Sequence, residues 1–219
     1  MVRKRPYDQY CGLAAALEVI GDRWTPLIVR ELAVGTRRFR EIADGLPGIP
    51  EDVLAARLKQ LAADDVIERA GPGRNDGYRL TAHGRELLPA LGALAYWGAH
   101  HLDPEPRDDQ RTARRALSAM ALGFDPEAAS GVDAVIELVV DDESARLCVT
   151  DGAFEPAAGD ARADVTITMN TASAFAVGRG REGGTTTVTG DASLAPTALA
   201  MFRFPRRSRG VPADGTRHG

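Results

Sequence analysis

Apolar positions in the first hundred residues fall at helical spacing, and many of those in the second hundred alternate. Leu13, Leu17 and Ile20 mark a first helix, with Gly21 placed as a left-handed C-cap. Thr25-Pro26 reads as an N-cap followed by proline at the first helical position. Leu27, Ile28 and Leu32 then supply an apolar face that ends at Gly35. A shorter helix turns Phe39, Ile42 and Ala43 inward and stops at Gly45. The stretch Gly45-Leu46-Pro47-Gly48-Ile49-Pro50 leaves room only for a sharp reorientation. A fourth helix starts at Pro50 and buries Leu54, Leu58 and Leu61, so Asp52, Ala55, Ala56 and Lys59 face outward. Beyond Asp65 the period changes. Val66-Ile67-Glu68-Arg69 alternates as a strand, and Tyr78-Arg79-Leu80 can pair with it across a glycine-rich loop that carries Arg74 near its tip. Thr81 then caps a long helix with Leu87, Leu91 and Leu94 on one side, bent near Pro89 and ending near Trp97-Gly98.

In the second half, residues 111–122 read as a helix with Leu117 and Met120 on one side. Residues 135–140 and 146–149 flank an acidic turn as a hairpin, and Asp151-Gly152 signals another turn. Residues 164–169 alternate, with Val165, Ile167 and Met169 on one face. A short helix over 171–177, a strand over 185–190 and a helix capped by Asp191 and running to Phe202 complete the pattern. This order predicts an α+β sheet with helices on one face. Pro104 and Pro106 lie in a charge run between the halves. The predicted organisation is a mostly α unit over 1–102, a linker over 103–110, an α+β unit over 111–204 and a tail over 205–219.

The chain has 219 residues and a formal net charge of −4, which by itself argues against a nucleic-acid partner. The distribution reverses that argument: residues 1–102 carry +1, residues 103–202 carry −9 and residues 203–219 carry +4. The tail is expected to touch DNA phosphate, to fold back on the acidic block, or simply to solubilise. Two cysteines cannot form a disulfide framework, and no apolar run is long enough to cross a bilayer or resembles a signal peptide. A cytoplasmic chain without a membrane partner is the expectation.

Two short helices, a tight turn, a further helix and a hairpin describe a winged helix-turn-helix. In that fold the fourth helix lies in the major groove of double-stranded DNA, presenting Asp52, Ala55, Ala56 and Lys59. Arg37, Arg38 and Arg40 would hold the flanking backbone and Arg74 would reach a phosphate or the minor groove. The bland reading of the same arginines is an ordinary solvated face. Specific residues add weight: Cys11, Gly21-Asp22-Arg23-Trp24-Thr25, Arg38-Phe39, Leu46-Pro47-Gly48-Ile49, Arg57-Leu58, Tyr78-Arg79-Leu80-Thr81 and Trp97-Gly98. In these the chain from about Cys11 to His101 resembles the HxlR family of bacterial transcription regulators. The resemblance implies a homodimer formed through the first and last helices of the unit and a roughly palindromic site. Pro50, Asp52 and Ala55 depart from the serine, basic residue and threonine usual in the family. Asp52 would accept a hydrogen bond from cytosine and repel phosphate.

Residues 111–204 resemble the sterol carrier protein 2-like fold in Val149-Thr150-Asp151-Gly152, Ala163-Asp164-Val165-Thr166-Ile167 and Val188-Thr189-Gly190-Asp191. That resemblance implies a tunnel for an apolar small molecule between sheet and helices. Strand and helix phase nominate Leu138, Leu147, Phe154, Phe175, Leu194, Leu199 and Phe202 as its lining, against the alternative that each fills a solid core.

Cys11 opens the first helix, where the dipole favours a thiolate. It reads either as a reactive thiol, as in regulators resembling this family, or as a small residue at a dimer seam. Cys148 lies in a strand-like run and reads as packing. The glycine-rich stretch around residues 178–184 lacks the Gly-Lys-Ser/Thr ending of a phosphate loop, and no serine sits in a nucleophile-elbow pattern. Neither Cys-x-x-Cys nor His-Glu-x-x-His occurs, and His100 and His101 are adjacent rather than on one helical face. No catalytic residue, metal or cofactor is therefore expected. Three readings follow: a DNA-binding regulator with an apolar effector, a lipid or small-molecule carrier with a helical dimerisation unit, and a repressor switched through Cys11.

Overall fold

A computed structural model of the protein describes residues 7–73, 76–101, 112–157, 161–178 and 185–202. The predicted linker, the tail and Arg74 lie outside the described residues. Helices α1 (Gly12–Ile20), α2 (Thr25–Leu32), α3 (Phe39–Gly45) and α4 (Glu51–Ala63) are followed by the antiparallel hairpin β1 (Ile67–Arg69) and β2 (Tyr78–Leu80). This is a winged helix-turn-helix, with α3 and α4 joined through residues 46–50 and the hairpin as wing. Ile28, Leu32, Ile42, Leu54, Leu58 and Leu61 meet in its core, all essentially without solvent exposure.

Two end signals work differently from their expected roles. Gly21 has φ −76°, so it is no left-handed cap. A Cβ there would sit 2.3 Å from the Leu17 carbonyl oxygen, so glycine is needed for close approach. Thr25 does not cap α2 either. Asp22 does, accepting from the backbone N–H groups of Trp24 at 2.9 Å and Thr25 at 3.0 Å and from the Thr25 hydroxyl. Thr81 is a cap, as its position suggests, accepting from the Gly84 N–H at 2.9 Å.

The long helix expected after Thr81 is divided into α5 (Ala82–Arg85) and α6 (Leu88–Gly98). Pro89 has no N–H to continue the ladder, and it sits in the first turn of α6, where that loss is harmless. Leu88, Leu91 and Gly92 point inward, Leu87 is half-buried, and Leu94 is 53% exposed instead of buried with Leu87 and Leu91.

Helix α7 (Ala113–Leu122) is capped by Thr112, whose hydroxyl accepts from the Arg115 N–H at 3.3 Å. Beyond it come β3 (Asp133–Val140), β4 (Glu143–Thr150), β5 (Ala153–Pro156), β6 (Val165–Met169), α8 (Thr171–Gly178), β7 (Thr186–Gly190) and α9 (Ala195–Met201). The sheet runs β5-β4-β3-β6-β7, antiparallel except for the β3–β6 pair. Strand alternation explains its two faces. Ile136, Leu138, Leu147, Val149, Val165 and Ile167 are buried on one, against which α7 packs. The other is half-open and polar, with Glu137 bridging to Arg146 at 2.8 Å and accepting from the Thr166 hydroxyl at 3.1 Å.

Helix α7 also touches α2 and α6, so the apolar side chains of both halves form one continuous cluster. Gly92 allows the α6–α7 crossing, because a Cβ there would lie 2.3 Å from the Leu122 carbonyl oxygen. Arg114 ties the halves again, donating to the Glu41 carbonyl at 2.8 Å and to Glu143 at 3.0 Å. No helix among the described residues is long and apolar enough to cross a membrane.

Candidate nucleic-acid interface

Helix α4 separates its faces cleanly. Leu54, Leu58 and Leu61 are buried, while Asp52, Ala55, Ala56 and Lys59 are all exposed on the opposite side. The two alanines keep the backbone of that face approachable. Asp52 lies in the first turn, where its charge complements the helix dipole. The same charge opposes any phosphate brought to that end.

The arginines of the preceding segment are not equivalent. Arg38 is the exposed N-cap residue of α3, its N–H donating to the Glu41 carboxylate at 2.6 Å, and Arg40 is exposed in the first turn. Arg37 is half-buried. Its backbone is clasped by the wing, accepting from the Tyr78 N–H at 2.8 Å and donating to the Tyr78 carbonyl at 2.9 Å. Its Nε and Nη2 are buried with no hydrogen-bond partner among the described residues. On the wing, Arg79 meets Glu68 at 2.8 Å across the strands and Arg69 lies over the Tyr78 ring at 5.0 Å. Their charges are therefore partly committed within the hairpin.

Two residues that matter for this surface were not among the sequence candidates. Arg57 on α4 reaches the Asp22 carboxylate at 3.5 Å, tying α4 to the N-terminus of α2. Burial pushes the Asp22 carboxyl up. The hydrogen bonds from Thr25 and Trp24, with the Arg57 charge, outweigh that and hold it below the usual carboxylate range. Asp22 three residues ahead of Thr25-Pro26 was a visible capping signal, but the threonine competed for the role. Nothing in the local pattern shows that Arg57 turns toward Asp22.

Cys11 is exposed at the N-cap of α1. Tyr10, Leu13, Leu94 and Trp97 are large apolar side chains that α1 and α6, with the residues just before α1, leave in solvent, Trp97 at 62%. Among the described residues no cluster of three or more His, Cys, Asp or Glu side chains could hold a metal.

The tunnel residues are placed otherwise than expected. Leu138, Leu147 and Phe202 are fully buried in solid packing, and Phe175, Leu194 and Leu199 are half-buried against the same core. A cavity of about 820 Å³ lies outside the sheet's core, between α5–α6 and the sheet edge at β5. Of the seven nominated residues only Phe154 lines it; Cys148, expected to pack, stands half-buried in its wall. Alternation identified which side chains turn inward. Small and large groups from the helices then filled the interior, leaving the gap where two surfaces from different halves meet.

Residues 19–106 match the model for HxlR-like helix-turn-helix proteins. The chain is 43% identical over 99 residues to the uncharacterized HTH-type transcriptional regulator Rv3095 of Mycobacterium tuberculosis, a match covering 43% of this chain and 61% of that protein. It is 38% identical over 93 residues to the uncharacterized HTH-type transcriptional regulator YvaP of Bacillus subtilis, covering 41% of this chain and 85% of the relative. Among solved structures, quinone-bound YodB from B. subtilis is 32% identical, with a TM-score of 0.36 and coverage of 40% of this chain and 96% of that one. All of these matches leave much of the second half unmatched. With most of YvaP aligned at this identity, and the Asp22 cap, α3–α4 pair and wing formed by the matching residues, the chain belongs to the HxlR-like helix-turn-helix family.

Proposed function

We propose that the chain is a transcription regulator that binds double-stranded DNA as a homodimer and responds to an apolar small molecule through its second half. One observation carries the DNA reading: the α4 face formed by Asp52, Ala55, Ala56 and Lys59 is open to solvent, beside exposed arginines on α3. A helix so placed can enter a major groove, with Arg38 and Arg40 on the flanking phosphates and Arg37 holding the base of the wing beside them. The exposed Tyr10, Leu13, Leu94 and Trp97 supply an apolar seam for a second copy, which would set two α4 helices on successive turns of a roughly palindromic site. Such a protein works in the cytoplasm, and on this reading it catalyses no reaction.

The sheet-and-helix half, read as sterol-carrier-like, is the effector module. Effector binding would alter the relative placement of the two wings and so the half-site spacing, provided the two arrangements bind the effector with different affinity. The test of DNA binding is duplex affinity against salt, using a random pool from which a preferred site is selected. A steep inverse dependence is expected, and a flat one would leave only the carrier reading. Sedimentation tests the seam: Trp97→Glu is expected to give monomers that stay folded.

A second reading rests on Cys11 standing exposed at a helix N-terminus. A thiol switch there predicts that Cys11→Ser keeps duplex affinity and abolishes its loss on treatment with diamide.

A further inference from the structure

The cleft between the two halves has one wall from α6, with Leu88, Pro89, Ala93 and Tyr96. The facing wall comes from the end of α7, the turn after it and strand β5, with Leu122, Phe124 and Phe154. We propose that this cleft binds a neutral, ring-containing apolar small molecule, and that this seam, rather than a tunnel inside the sheet's own core, is the effector site. The word effector rests on the regulator reading above; the binding itself does not.

Size, shape and charge all point to that ligand class. A volume of about 820 Å³ falls inside the range of roughly 300–1,000 Å³ that takes drug-sized molecules. The wall is aromatic and anchored. Phe124 and Phe154 meet as a tilted pair, 4.7 Å between centroids and 55° between planes, and both contact the ring of fully buried Phe202. Rings fixed in that way offer an edge and a face to another flat ring at little entropic cost. The rim carries Arg85, Glu86 and Glu155. Arg85 already donates to the Leu80 carbonyl at 3.0 Å and lies 3.9 Å from Glu155, so its charge is engaged. Arg85 and Glu155 offset each other, so the three rim groups leave one net negative charge, and an anionic ligand would meet it with no free cation among these three. Because β5 is the edge of the sheet, its outward backbone groups can serve a carbonyl or hydroxyl on a neutral ligand.

The position also supplies a route to DNA. Helix α6 forms one wall, and from the same helix Leu94 and Trp97 emerge into the proposed dimer seam. A molecule wedged between α6 and β5 therefore acts on the element that sets how two copies meet.

Nile red, a neutral polycyclic dye, is the probe, added to the full chain. Saturable binding of one dye per chain is expected, with the similar but anionic 1-anilinonaphthalene-8-sulfonate weaker by about fivefold, the scale of one like-charge contact at a wet rim. Ala93 is exposed and lines the cleft, so Ala93→Trp fills the space without entering the core. It should weaken Nile red by about tenfold or more at an unchanged thermal midpoint, since a filled pocket removes the contacts outright. If that midpoint falls, Ala153→Trp on the facing wall repeats the test. Bound dye should slow alkylation of Cys148 by iodoacetamide and leave Cys11, which is not part of the lining, unaffected. Absence of saturable binding, or binding that ignores the tryptophan and leaves Cys148 unprotected, overturns the site. With the site upheld, dye that leaves affinity for the selected duplex unchanged overturns its effector role. A chain that never binds duplex sinks the regulator reading while the ligand site stands.

Discussion

The Asp22 carboxylate joins the start of α2 to α4 through Arg57, so one side chain serves both local and tertiary structure. Asp22→Asn keeps the shape but loses the charge. Denaturant titration at neutral pH should show a loss of about 1 kcal/mol, the usual scale of a lost cap. The pH sign follows from its lowered pKa. A carboxyl held below its ordinary 3.8 stabilises the fold above that value, and the contribution disappears as pH falls through the folded-state value. Unfolding midpoints measured from pH 5 downward should therefore fall less steeply in Asp22→Asn than in the parent. Equal slopes would show that Asp22 is not coupled to folding. At this scale the sequence was partly misleading. Thr25 and Asp22 are both capping residues, and the choice between them depends on backbone geometry that neither residue type reveals.

Helices α4 and α6 show how far periodicity reaches. The buried triad of α4 was legible because a single uninterrupted helix presents one face, and the outward positions followed by subtraction. Those positions can be tested singly. Lys59→Ala should leave stability within about 0.5 kcal/mol, since it is exposed. If Lys59 meets a phosphate, the magnitude of the slope of log affinity against log salt should drop by about 0.9. Asp52→Asn should tighten binding to random duplex by removing a repulsive charge; unchanged affinity would place that end of α4 away from phosphate. On α6 periodicity failed at Leu94, because the inward face is centred on Leu88 and Gly92, which puts Leu91 at its edge and leaves Leu94, a further ~60° round the helix, in solvent. Gly92→Ala adds a methyl against the Leu122 carbonyl and should cost about 1–3 kcal/mol by forcing α6 off α7, measurable by thermal or chemical unfolding.

In the whole molecule, α7 carries the continuity between the halves. The charge asymmetry along the chain suggested separable units, yet the core runs from α2 through α7 to the sheet and Arg114 spans Glu41 and Glu143. Calorimetry should therefore record one cooperative transition. Arg114→Ala removes two hydrogen bonds from a mostly shielded guanidinium and should lower the midpoint, with a cost of about 1–3 kcal/mol. Splitting into two transitions in that variant would show that the arginine, more than the apolar contact, holds the halves together.

Amino-acid order alone determined the run of helices and strands, the inward side of α4 and of the central strands, and the kinship of the first half. Those depend on contacts within a few residues or on a repeating period, which a linear string displays. The pairing of Asp22 with Arg57, the exposure of Leu94 and the location of the cleft were decided by tertiary structure. Each depends on how surfaces far apart in the chain come to face one another. A cavity is the space that two such surfaces fail to fill, and no residue carries a local mark of it.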